Sequence, residues 1–466
     1  MSAIAAGSNT MNERQIAAGS SGRRSRLVGA LFVVGLVIVV AVGFILLGPP
    51  SQRTSAQRLA EMAPPGAGSG QYVAPQNATA TETEIAKRYN TVREFPDTTA
   101  AYVLLGYAYL QHVREVGDPS DYGRAGAALT EARQRDPKNV DAIIGLGVLA
   151  LARHEFSVGL DLGRAALVLA PRSARAHGVI VDALTELGRY DEAVASSQEM
   201  VDLRPDLASL SRVAYQRELH GDVDGAISAM SRAYDASAGT SLENREYLRV
   251  LIGDLHLLKG DLVTARQIYA VSLDASPGFV WALAGLARVE TAQTDYESAI
   301  DHYQQAVIAL PAPELFVALG EAQQAAGLET EARQTYEIVG AQQQLFAANG
   351  VNVDLELALF EANHGDPSTA VNLATSAYAS QPNVKAADAL AWALYRADRS
   401  VDAQKYATEA LRLGGVQARP LYHAAMIEIT LGEVAAAREH LTAALAAEAT
   451  LSPLEAAAAR SALSEL

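Results

Sequence analysis

The sequence contains no cysteine. That excludes disulfides, thiolate zinc sites and a catalytic thiol together. Aromatic residues are scarce, with Phe, Trp and Tyr at 6% and only two tryptophans, while Ala and Leu dominate an apolar fraction of 50%. Such a composition favours closely packed helices over sheets. Positive charge is short as well: 37 Lys and Arg face 53 Asp and Glu. Residues 1–60 hold Arg14, Arg23, Arg24, Arg26, Arg53 and Arg58 against Glu13 alone, so the remainder carries 31 basic and 52 acidic residues. A body this acidic opposes a phosphate backbone, and no basic run with interleaved aromatics offers a local exception. No nucleic-acid partner is expected. The nine histidines are scattered without ligand spacing, and "HEFSV" (154–158) has Val158 where a zinc protease motif needs its second histidine. No nucleophile, base and orienting group fall together, so no enzyme activity, metal or cofactor is expected.

One long apolar run breaks the pattern. "LVGALFVVGLVIVVAVGFILLG" (27–48) has no charge over 22 residues. At 1.5 Å per residue it matches the roughly 30 Å hydrocarbon core of a bilayer. The run is longer than the apolar region of a cleaved signal peptide, and "TSA" (54–56) is a poor cleavage site, which favours an uncleaved anchor. Four arginines precede it and two follow closely, so residues 1–26 are expected in the cytoplasm and the rest outside it. Residues 49–80, rich in Pro, Gly and Ala, read as a flexible tether.

The body of the chain is periodic. "GRYDEAVASSQEMVDLRPD" returns in outline at "GDVDGAISAMSRAYDAS" (221–237), "GDLVTARQIYAVSLDASP" (260–277) and "GDPSTAVNLATSAYASQP" (365–382). Aligned on the glycine, these segments define a unit of 34 residues in which Gly stands at 15, Ala at 20 and 27, an aromatic or apolar residue at 24, and Pro at 32. Starts fall near residues 99, 140, 174, 207, 246, 280, 313, 351, 384 and 418. Small residues such as Gly147, Ala193, Gly253, Ala265, Ala299, Gly320, Ala332 and Ala370 occupy points where paired helices approach; Tyr269, Tyr303 and Tyr336 fill the space one turn away. Three steps are longer. "REVGDPSDYG" (114–123) reads as an insertion between the two helices of repeat 1, whereas "SAGTSLEN" (237–244) and "QQQLFAANG" (342–350) lie between repeats and extend a helix or alter the superhelical twist. At the ends, residues 81–98 read as a half-repeat helix with Ile85, Tyr89, Val92 and Phe95 on one face, and residues 453–466 as a capping helix with Ser452, Pro453 and Glu455 forming its start.

This pattern resembles the tetratricopeptide repeat. The resemblance implies an all-α chain: a right-handed superhelical solenoid of about ten helix-turn-helix repeats over 99–452, preceded by the transmembrane helix. It also implies a concave groove lined by positions 2, 5, 9, 12 and 13 of each first helix. Those positions include Asp182, Glu186, Glu218 and Asp254, and two richer clusters stand out among them. Lys385, Trp392, Tyr395, Arg396, Arg419 and Tyr422 are expected to converge as a protein-binding surface suited to an acidic or amphipathic segment; Tyr215, Tyr247, Trp281 and Arg288 form the second candidate. The expected role is a membrane-anchored scaffold that binds a protein or peptide segment, with a cytoplasm-facing scaffold and a non-catalytic accessory subunit of an enzyme complex as alternatives.

Overall fold

The computed structural model describes residues 54–68 and 70–466; the N-terminal tail and the apolar run at 27–48 lie outside the described residues. Two compact units divide the chain, residues 1–60 and residues 61–466. A seven-residue helix, Ser55–Glu61, accounts for nearly all that is described of the first unit. Among the described residues there are 23 α-helices, one short 3-10 turn and no strand, and no helix is long and apolar enough to cross a membrane.

In the second unit the helix Ala80–Glu94 precedes ten antiparallel pairs. The pairs are Thr99–Val116 with Ser120–Arg135, Val140–Ala152 with Phe156–Leu169, Ala174–Glu186 with Tyr190–Leu203, Leu207–Leu219 with Val223–Asp235, and Leu242–Leu258 with Leu262–Ala275. They continue as Val280–Ala292 with Tyr296–Ala309, Pro313–Ala325 with Glu329–Ala348, Asp354–His364 with Pro367–Ser380, Val384–Arg396 with Ser400–Ala410, and Ala418–Leu431 with Val434–Ala446. A final helix, Pro453–Glu465, starts with a complete capping box between Ser452 and Glu455.

The repeated Gly-Asp pair now has a physical account. Gly221 and Gly260 take left-handed backbone angles that reverse the chain between paired helices, and the following aspartate caps the second helix: the Gly225 N–H donates to Asp222 at 2.9 Å and the Thr264 N–H to Asp261 at 3.1 Å. Where this turn has no glycine, His154, Thr294 and Asp398 adopt the same left-handed geometry. The alanines at position 20 are sealed from solvent: Ala193, Ala265, Ala299 and Ala370 have no exposed surface. Between Gly253 and Gly285 the Tyr269 ring is fully enclosed: a Cβ on either glycine would stand 2.5 or 2.6 Å from it. Helices before Pro137, Pro171, Pro205, Pro277, Pro311 and Pro382 each stop two residues earlier, as the missing N–H requires.

Several expectations need correction. The first insert does not form a loop: the first helix of repeat 1 runs to Val116 and the second starts at Ser120, so most of residues 114–123 lengthen the two helices. The two later inserts need none, since each extends a helix as expected: Leu242 opens the first helix of repeat 5, and the second helix of repeat 7 runs through to Ala348. Residues 62–79 are not all a free tether, because Met62 is buried and its carbonyl accepts from the Tyr109 hydroxyl at 2.5 Å, while Tyr72 and Asn90 exchange two hydrogen bonds. Phe95 lies past the end of the half-repeat helix and is exposed, unlike the buried Ile85, Tyr89 and Val92.

Successive turns of the superhelix touch. The turn between the helices of one repeat meets the chain entering the repeat six places later. His154 Nδ1 lies 2.7 Å from the Asn352 carbonyl, and the Asn352 N–H donates to the Arg153 carbonyl at 3.1 Å. Asn383 donates to the Glu186 carbonyl at 2.8 Å, the Val384 N–H to the Tyr190 hydroxyl at 2.9 Å, and Arg412 to the Gly188 carbonyl at 3.1 Å. At Gly188 and Gly221 the approach is so close that a Cβ would stand 2.2 Å from the Pro382 oxygen and 2.7 Å from that of Gly414. An open groove is thereby turned into a bore.

Candidate functional site

First helices face the bore. A cavity of about 1300 Å³ within it is built jointly from repeats 1, 3–6 and 8–10 together with Thr450. Six of the ten residues expected to bind a partner line it: Tyr215, Tyr247, Trp281, Arg288, Lys385 and Arg419. Tyr247 is 44% exposed, and its ring meets Trp281 edge-on at 6.5 Å.

The wall is laced with ion pairs between repeats. Arg212 pairs with Asp182 at 2.6 Å, and Arg288 with Asp254 at 2.6 Å. Lys385 reaches from repeat 9 to Glu186 of repeat 3 at 3.4 Å and places its ammonium 5.3 Å from the Tyr215 ring centroid. Arg114 spans from repeat 1 to Glu243 of repeat 5 at 3.1 Å. Burial pushes the Tyr215 phenol up to about 12 despite the pull of Lys385; burial works against the Lys385 charge, which Tyr215 and Glu186 more than restore.

The other four expected residues gather apart from this cavity. Trp392 and Tyr422 are each 4% exposed. The Trp392 indole N–H donates to Asn363 at 2.7 Å, and its ring stacks on His423 at 4.1 Å and on Tyr395 at 5.0 Å. Arg396 remains exposed, its guanidinium 5.7 Å from the Trp392 centroid. Beneath the stack lies a buried polar cluster: His423 Nδ1 is 2.9 Å from Asp388, and Glu455 of the final helix lies 3.6 Å from both His423 Nε2 and Arg419. Although burial works against its charge, Arg419 and His423 hold the Glu455 carboxyl down at about 2. The acidic partner expected for this cluster is supplied by the chain's own last helix. The sequence clusters therefore do not form two surfaces; Lys385 and Arg419 join one cluster to the other across the bore.

Residues missed from the sequence are Arg114, Arg212, Glu243, Asn244, Glu356 and Gln417, all on the cavity wall. Arg114, Glu243 and Asn244 fall in the inserts, where helical extension carries them past the repeat's normal boundary.

Residues 144–208 and 285–344 match the sequence model of the tetratricopeptide repeat. Those two segments carry tetratricopeptide repeats. Among solved structures it is similar to TTC0263, a thermophilic tetratricopeptide-repeat protein of Thermus thermophilus, at 18% identity over 39% of this chain and 92% of that one, with a TM-score of 0.35. It is also similar to the Cut9–Hcn1 hetero-tetramer of the APC/C, at 16% identity over 83% of each chain with a TM-score of 0.36. The human IFIT1 dimer with PPP-AAAA matches at 14% identity over 79% of this chain and 91% of that one, with a TM-score of 0.42. No curated protein matches the sequence.

Proposed function

We propose that this tetratricopeptide-repeat chain is a scaffold whose bore holds an extended segment of a partner protein, and that residues 27–48 anchor it to a membrane with the repeats outside the cytoplasm. The observation that supports binding is the cavity wall: Tyr, Trp and Arg side chains, the types interfaces favour, project from several repeats into one space. Its volume exceeds the roughly 300–1000 Å³ common for small-molecule pockets and is far smaller than a folded domain. An extended segment fits both conditions. Nucleic acid fits poorly, since Asp182, Glu186, Glu218, Glu243, Asp254, Glu356 and Asp388 outnumber Arg114, Arg212, Arg288, Lys385 and Arg419 on the wall.

Peptides selected from a random library on the full chain test this reading. Tyr247→Ala with Trp281→Ala should weaken the selected peptides about tenfold or more, because stacked aromatic anchors carry much of such interfaces. Equal affinity for the variant would move the site out of the bore. The anchor has its own test: with cysteine placed at Ser8 or at Ser69, an impermeant thiol reagent applied to whole cells should label only the second. Labelling of the first alone would reverse the orientation.

A further inference from the structure

Most carboxylates on the bore wall have a cationic partner, but Glu218 of repeat 4 does not. Asp182 has Arg212, Glu186 has Lys385, Glu243 has Arg114 and Asp254 has Arg288. The contact that reaches Glu218 is the neutral Gln417 amide at 3.4 Å. Its neighbour on the next repeat is Asp254, a charge of the same sign. Burial together with Asp254 raises the Glu218 carboxyl above the usual range, and Lys385, already paired with Glu186, offsets little of that rise. The wall here lacks a positive charge that its own geometry would accommodate.

Aromatic surface lies beside the gap. Tyr215 stands one helical turn before Glu218 on the same helix and lines the same cavity. Tyr247 is close enough to Asp254 for that carboxylate to raise its phenol, after burial, and much of its ring is open to the cavity. Carboxylate and exposed aromatic surface in one cavity form the combination that receives an organic cation. Among the described residues no group of three or more His, Cys, Asp or Glu could hold a metal ion.

We infer that Glu218, with Tyr247 and Asp254 alongside, seats an arginine or lysine side chain of an extended basic segment lying in the bore. This rests on the reading of the bore as a peptide site. The segment's aliphatic stem lies along the aromatic wall while its charged end replaces the cation that repeat 5 does not supply. The excess of carboxylates on the wall favours the same class of partner over an acidic one.

The test uses the full chain and three fluorescent, unstructured Gly/Ser peptides of equal length, carrying interspersed arginines, glutamates or no charge, with a single-stranded oligonucleotide as a fourth probe. The arginine peptide should bind best, with affinity falling as salt rises. Glu218→Gln should weaken it about tenfold, the scale of one charge-assisted hydrogen bond, and leave the neutral peptide unchanged. Glu297→Gln on the outer helix of repeat 6 should have no effect. If Glu218→Gln does not fold, Tyr247→Ala carries the test, with the same selective loss for the arginine peptide. Preference for the glutamate peptide or the oligonucleotide, or indifference of the arginine peptide to both variants, overturns the cation seat while leaving a ligand in the bore. Failure of all four probes to bind a chain with its full helical signal overturns the bore itself as a peptide site, and the cation seat with it.

Discussion

Gly188→Val should part repeat 3 from repeat 9 and open the bore. Gly188 has φ of +70°, where a side chain on a left-handed residue costs about 1–2 kcal/mol. The larger penalty comes from position: the new Cβ would stand 2.2 Å from the Pro382 carbonyl oxygen, a backbone atom that no rotamer change moves aside. Separation of the turns would release the bonds from Asn383 to Glu186 and from Val384 to Tyr190, each contributing about 0.5–1.5 kcal/mol net. Expected results are a larger radius of gyration in X-ray scattering and faster hydrogen exchange at the Val384 amide. Gly327→Val supplies the control, because Gly327 has φ of +79° with nothing within 4 Å of the added carbon. It should cost the backbone penalty without expanding the molecule. Equal behaviour of the two variants would show that the turns do not touch in solution.

Trp392→Ala should behave as a core truncation and cost about 3–5 kcal/mol. The indole is 4% exposed, donates to Asn363 and covers the His423 ring, so its removal leaves a cavity, an unsatisfied acceptor and a less shielded imidazole above Asp388. A long repeat array need not unfold in one step, so the effect is best followed as lost hydrogen-exchange protection across residues 384–431. Arg396→Glu alone, on an exposed side chain, should stay within about 0.5 kcal/mol. Protection unchanged in the tryptophan variant would return Trp392 to the surface.

The contrast between Trp392 and Trp281 shows where reading a repeat stops. Both occupy first-helix positions that resemble groove positions, yet one is stacked under its neighbours and the other lines the cavity. The difference depends on what lies across the bore, and that is set by the superhelical rotation accumulated over six repeats. Local signals were clear: Gly at the turns, Asp at the caps, Ala at the crossings and Pro after the second helices each act within one repeat, so helix pairs could be placed from the residues alone. Contacts such as Asn383 to Glu186 join residues almost two hundred positions apart, and no periodicity within a 34-residue unit encodes them. Arg114 and Glu243 were obscured differently. Their segments broke the period, one read as an insertion between helices and the other as lying between repeats, so neither received a groove position although both residues lie in helices.

A wall whose turns meet also separates how tightly a strand is held from how quickly it comes and goes. A segment within the bore leaves by sliding out along its length or by waiting for neighbouring turns to part at Gly188 and Gly221. Weakening the seam at Asn383 or Val384 should therefore hasten entry and exit together, like easing a hinge, while the dissociation constant stays where Tyr247, Trp281 and Glu218 set it. Residence time becomes a property of the coil, and selectivity a property of its lining.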